Sequence, residues 1–139
     1  MTSCIDTNVL SALLAAEPTA PAIAKALNTL RRAGPLIIHG SVYAELLAAP
    51  GNTQDHLGFL LQRGQIQVDW NTSEPVWQMS GQAYGRYAGR RAKSGGGPPR
   101  RILADFLIGA HALSLGATLV TLDETHYRTA YPALSLIIP

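Results

Sequence analysis

The chain carries only nine acidic residues among 139, and four of them stand where a carboxylate does little for solubility. Asp6 closes a short apolar run, Glu45 lies in a mostly apolar stretch, Asp105 sits near the start of a long apolar one, and Asp123 follows another. If folding brought the four together they would repel. At about 4 Å and an effective dielectric near 20, each like-charged pair costs roughly 4 kcal/mol. Only a hard divalent cation would hold such a cluster, and clusters of oxygen donors are what Mg²⁺ and Mn²⁺ prefer.

Each acid has an ordinary alternative. Asp6 and Asp123 stand at strand-to-helix junctions, where Asp is a common helix N-cap. Asp105 would be favoured by the helix dipole by about 0.3–1 kcal/mol in a first turn. Glu45 lies four residues after Ser41, one too many for a capping box with Ser41 as the cap; it faces either solvent or a charge. Glu124 is the more exposed neighbour of Asp123 and a substitute ligand for it. Other site chemistries lack their patterns. His39, His56, His111 and His126 are scattered without zinc-type spacing, with His126 in a surface or structural role, and neither a phosphate-binding Gly-x-x-x-x-Gly-Lys-Ser/Thr loop nor a nucleophile elbow is present.

The elements that would position these acids alternate between short apolar strands and helices. Residues 3–6 read as a strand and 7–16 as a helix capped by Thr7 or Asn8. A helix over 21–33 closes at Gly34-Pro35, and Leu36-Ile37-Ile38-His39 forms a buried strand. Helices follow over 42–49, started by Ser41, and 53–63, stopped by Gly64, then a strand over 66–69 and a long helix over 74–92. Ser94-Gly95-Gly96-Gly97-Pro98-Pro99 is a loop. A helix over 102–115, with Gly116 at its end, leads to a strand over 117–121, a helical turn and a last strand over 134–138. This alternation predicts an α/β fold, a three-layer α/β/α sandwich with a central, mainly parallel sheet and a single domain spanning 1–139. Ligands of such sheets gather beyond the carboxyl ends of the strands, where Asp6 and Asp123 fall.

Net charge is only +2, but Arg86, Arg90, Arg91, Lys93, Arg100 and Arg101 cluster, with no acid between Glu74 and Asp105. That stretch is either a solvated cationic face or an arm for the phosphates of a nucleic acid. Trp77, Tyr84 and Tyr87 are spaced as core or dimer contacts. The single cysteine, Cys4, excludes an intrachain disulfide and reads as a small buried thiol. The N-terminus lacks the features of a signal peptide, and no apolar run approaches the roughly 18 residues of a membrane span, so a reducing cytoplasm is expected.

Four segments in order, Ile5-Asp6-Thr7-Asn8-Val9-Leu10, Ser41-Val42-Tyr43-Ala44-Glu45-Leu46, Ala104-Asp105-Phe106-Leu107-Ile108-Gly109-Ala110-His111-Ala112 and Val120-Thr121-Leu122-Asp123, resemble a PIN domain, nearest to the VapC-type ribonuclease toxins of bacterial toxin–antitoxin pairs. The resemblance spans essentially the whole chain. It implies a Mg²⁺- or Mn²⁺-dependent endoribonuclease, a homodimer and a cognate antitoxin, a segment of which would enter the acidic pocket. Asp6, Glu45, Asp105 and Asp123 would bind the metal and be catalytic, with Asn8 and Thr121 as polar neighbours. Leu122 departs from the basic or polar residue that members often carry there, and His126-Tyr127 from the usual His-Phe. With one ion or a pair roughly 3.5–4 Å apart, the site would activate water for in-line attack and stabilise the leaving 3′-oxygen. Two other readings stay open. A phosphohydrolase acting on small phosphates would begin with an Asp after the first strand, but Asn8 stands where its second acid belongs. A non-catalytic RNA- or protein-binding module would tolerate loss of Asp6.

Overall fold

The computed structural model describes all 139 residues. Five strands, β1 (Ser3–Ile5), β2 (Leu36–His39), β3 (Ile66–Asp69), β4 (Thr118–Val120) and β5 (Leu136–Ile137), form one sheet in the order β3-β2-β1-β4-β5. Every pairing is parallel, so the sheet is wholly rather than mainly parallel. Seven helices, α1 (Thr7–Leu14), α2 (Ala20–Ala33), α3 (Gly40–Ala48), α4 (Gln54–Gly64), α5 (Glu74–Lys93), α6 (Ala104–Ser114) and α7 (Glu124–Ala130), complete the three-layer α/β/α arrangement. Central strand β1 is buried along its whole length, as a strand covered on both faces must be.

The strand order creates a switch point. From β1 the chain winds outward through β2 to β3, then returns to place β4 on the other side of β1. Crossovers leaving in opposite directions open a crevice between the carboxyl ends of β1 and β4. Register pairs Ile5 with Val120, so the next residues, Asp6 and Thr121, emerge side by side at that crevice.

Several helix starts differ from the sequence expectation. Of the caps the sequence offers for α1, Asp6 and not Thr7 or Asn8 takes the position, accepting the Thr7 amide at 2.8 Å. His39, not Ser41, caps α3: its Nδ1 accepts the Ser41 amide at 3.1 Å, an alternative to the usual Ser, Thr or Asp cap that side-chain type does not signal. Gly64 is the last residue of α4, and the left-handed position that ends it belongs to Gln65 at φ 53°. Helix α6 starts at Ala104, two residues later than expected, and Gly116 behind it does take the left-handed conformation, φ 62°. No helix is long and apolar enough to cross a membrane.

Candidate active site

Asp6 is 6% exposed at the end of β1, and its carboxylate is fully engaged. Oδ1 accepts the Thr7 amide, and Oδ2 accepts the Thr121 hydroxyl at 2.8 Å. The buried Tyr127 phenol lies beside the same carboxylate. Thr121 in turn accepts the Asp123 amide at 3.0 Å, so one hydroxyl fixes the spacing between the first and last acids. Asn8 Oδ1 accepts the Leu122 amide at 3.1 Å and ties the same two strand ends together from the other side. The polar neighbours expected from sequence, Asn8 and Thr121, therefore both touch this junction.

Glu45 reaches the junction from the middle of α3, where Thr7 donates its hydroxyl to Oε1 at 3.1 Å. Thr7 thus links two acids, Asp6 through its amide and Glu45 through its side chain. Asp105, in the first turn of α6, lies near enough to repel both. The cost registers in protonation. Burial first, and then the Asp105 charge, lift the Asp6 carboxyl above its usual range against the hydrogen bonds that lower it. Burial lifts Glu45 as well, with Asp105 and Asp6 adding to the effect. Tyr127 is pushed upward by burial and by Asp6, Asp105 and Asp123, so it stays a neutral phenol beside the cluster. Asp6, Asp105 and Asp123 act on one or more of these three groups, and Glu45 is itself one of the groups acted on, so the four acids lie close to one another.

The four are not equally free. Arg101 donates to Asp123 Oδ2 at 2.6 Å, and Asp105 Oδ2 accepts the Ile102 amide at 3.0 Å. No three acid, histidine or cysteine side chains stand in a ligating arrangement as they are. The donor chemistry nonetheless fits a hard divalent cation. The set is all oxygen, two of its members are destabilised as anions by burial and then by neighbouring negative charge, and a guanidinium already plays the cation's part at Asp123. Glu124 faces away and pairs with Arg128 at 2.7 Å.

Sequence reasoning missed Thr7 and Tyr127. A signal was present for Tyr127, which lies four residues after Asp123 and so one helical turn along the same face. His126 is buried rather than at the surface, with Nε2 2.7 Å from the Asp105 carbonyl, and it braces the start of α6. The cationic stretch divides. Arg91 is turned onto the Gly96 and Pro98 carbonyls of its own loop, and Arg101 onto Asp123, while Arg86, Arg90, Lys93 and Arg100 remain exposed.

A second polar line runs through the sheet away from the acids. His111 Nε2 lies 2.9 Å from Asp69 Oδ2, and its Nδ1 3.9 Å from the Cys4 thiol. The sequence of thiol, imidazole and carboxylate has the order of a nucleophilic triad, but burial pushes Cys4 up to about 12 and leaves it 2% exposed. A thiol so held is not a nucleophile at neutral pH. Burial and the neighbouring His111 also lower His39 to about 4, so it stays neutral between Ser41 and Thr72.

The PIN domain family model matches residues 3–131. The chain belongs to the PIN domain family. That family is generally one of nucleases that depend on divalent metals. Among solved structures, the VapBC2 complex of Rickettsia felis bound to a promoter DNA fragment matches with a TM-score of 0.69 at 22% identity, covering 99% of this chain and 98% of that one. FitAcB from Neisseria gonorrhoeae matches with a TM-score of 0.63 at 22% identity, covering 99% and 97%. A toxin–antitoxin complex from Klebsiella pneumoniae gives 0.64 at 16% identity, again covering 99% and 97%. At these identities the likeness is one of fold. No curated protein matches the chain.

Proposed function

We propose that this PIN domain is a metal-dependent endoribonuclease and the toxin of a type II toxin–antitoxin pair. The observation that carries the reading is the confinement of Asp6, Glu45 and Asp105 in one crevice, where their charges oppose one another, with Asp123 at its rim. Folding tolerates such repulsion where a function needs the charge. Asp6, Glu45, Asp105 and Asp123 are the residues that would hold Mg²⁺ or Mn²⁺. When bound, such an ion supplies Lewis acidity toward a phosphate oxygen and lowers the pKa of water at the site. The chain supplies the rest. Thr7 and Thr121 orient the carboxylates with Tyr127 packed beside them, and the exposed Arg86, Arg90, Lys93 and Arg100, with the N–H groups of Arg101 not on Asp123, form the basic flank for the RNA backbone. The histidines closest to these groups are otherwise engaged: His126, beside Asp105 and Asp123, has its Nε2 on the Asp105 carbonyl, and His111 pairs with Asp69.

Two surfaces support the proposed partners. A groove of about 410 Å³ between α1, α2 and α4 is lined by Leu13, Leu14, Leu27 and Leu60, with Arg31 and Arg63 also lining it. Its apolar floor and cationic groups suit an amphipathic helix with acidic flanks, which we assign to the antitoxin. Ile102, Leu103 and Trp77 are 58%, 44% and 49% exposed beside Gly81 and Gly85 on α5, a close-approach surface that suits a second copy of this chain.

Purified protein incubated with structured RNA and Mn²⁺ is expected to cut it internally. Chelator and Asp6→Asn should each abolish cutting, and induced expression should arrest growth with the wild type only. Hydrolysis of a phosphomonoester without cleavage of RNA would favour the phosphohydrolase instead, and growth arrest by both proteins would exclude catalysis as its cause.

A further inference from the structure

Beside Asp123 the surface dips into a small polar niche of about 190 Å³ lined by Tyr87, Arg90, Arg101, Thr125, His126 and Thr129. At ~30 Å³ per water, that is room for roughly six waters, the scale of one phosphate group and part of its shell. Two guanidiniums and two threonine hydroxyls offer donors, and no carboxylate lines the space. Of the acids around it, Asp123 holds one amino group of Arg101, Asp105 accepts the Ile102 amide, and Glu124 is paired with Arg128.

The walls are held in place. Tyr87 Oη accepts the Arg100 and Arg101 amides at 3.0 and 3.2 Å, and the Tyr84 hydroxyl donates to the Arg101 carbonyl at 2.9 Å. The tyrosines thereby anchor a residue that leaves a glycine- and proline-rich loop. His126 has its Nε2 on the Asp105 carbonyl, so the floor of the niche and the start of α6 move together. Arg101 has several N–H groups, and the one on Asp123 does not use the others.

We propose that this niche binds one phosphodiester of a polynucleotide strand, adjacent along the backbone to the phosphate held at the acids, with Arg90 and Arg101 as charged donors and Thr125 and Thr129 as neutral ones. It deepens the nuclease reading and rests on it only for the direction of the strand. Arg101 is the shared wall: it contacts Asp123 on one side and the niche on the other, and so sets the spacing between the two phosphate positions. Its role is that of a positioning and binding residue.

The test is the salt dependence of binding. A fluorescent 20-nucleotide RNA of random sequence is titrated with the full-length chain in chelator, where cleavage is silent, from 50 to 200 mM salt. For single strands each phosphate contact contributes about 0.7 to the slope of log affinity against log salt. The double variant Arg90→Gln/Arg101→Gln should reduce the slope by about 0.7, which shrinks the affinity lost over that range by ~2.6-fold, and each single variant should reduce it by part of that. Thr129→Val should weaken binding with no change of slope, and Arg32→Gln on α2 should behave as wild type. Wild-type slopes in both arginine variants, or an equal reduction in Arg32→Gln, would overturn the niche. Asp6→Asn separates it from the nuclease reading. If that variant loses cleavage while the arginine slopes do not move, the niche alone falls; if it keeps cleavage while they do move, the acid site falls and the niche stands. A wild type with no salt-dependent binding overturns the niche and leaves the acid site to the cleavage test.

Discussion

Gly109 of α6 packs where a methyl group has no room. A Cβ there would come within 2.5 Å of Tyr131 Cε2 and 3.1 Å of Tyr127 Cε1. Both rings are buried, the Tyr131 hydroxyl donates to the Phe106 carbonyl at 2.7 Å, and the Tyr127 phenol is packed beside Asp6. Gly109→Ala gains about 1 kcal/mol of helix propensity. Overpacking a close-fitted core costs typically 1–3 kcal/mol, and two rings that cannot yield put this site at the upper end. The balance is a loss of about 2 kcal/mol, or a fall in Tm of roughly 8 °C at ~4 °C per kcal/mol for a domain of this size. Calorimetry in chelator reads it directly. Gly58→Ala on α4 and Gly89→Ala on α5 have nothing within 4 Å of the new methyl, so they should raise Tm by up to ~4 °C. Because the Tyr127 ring must shift, Gly109→Ala should also weaken Mn²⁺ binding, measured by titration calorimetry below its melting range. A Gly109→Ala protein that melts at or above wild type would refute both the packing argument and the link from α6 to the acids.

Two further outcomes follow from the charges. Asp6 and Glu45 have folded pKa values above their ordinary 3.8 and 4.5, so the stability they lend is present below those values and is lost as pH rises through the folded ones. Metal-free protein should therefore lose that contribution between the ordinary carboxylate range and neutrality, and Mn²⁺ should restore it. At 100 times its Kd the ion adds about 2.7 kcal/mol, near 10 °C in Tm at pH 7.5, with a smaller gain at pH 5 and none in Asp6→Asn; an equal gain in that variant would place the ion elsewhere. Arg101→Gln removes the guanidinium from Asp123, so the free protein should bind Mn²⁺ several-fold more tightly by calorimetric titration, and unchanged or weaker binding would mean that Asp123 takes no part.

How far the sequence carries this protein differs between its elements and its site. The parallel α/β class was legible because short apolar strands alternate with capped helices, and that pattern is local. Asp105 in the apolar run Phe106–Ala112 and Asp6 after Ser3–Ile5 were conspicuous for the same reason: a carboxylate among buried neighbours needs a purpose. Periodicity carries no information on strand order. Only the tertiary structure sets β4 beside β1 and registers Val120 against Ile5, and that register delivers Asp6, Thr121 and Asp123 to one crevice. The Arg101–Asp123 pair and the hydroxyls of Thr7 and Tyr127 were likewise beyond reach, because each depends on where residues distant along the chain meet. Burial and hydrogen bonding of the chain's own segments are written along it, whereas the charge field around a carboxylate is the sum over everything that folding brings near.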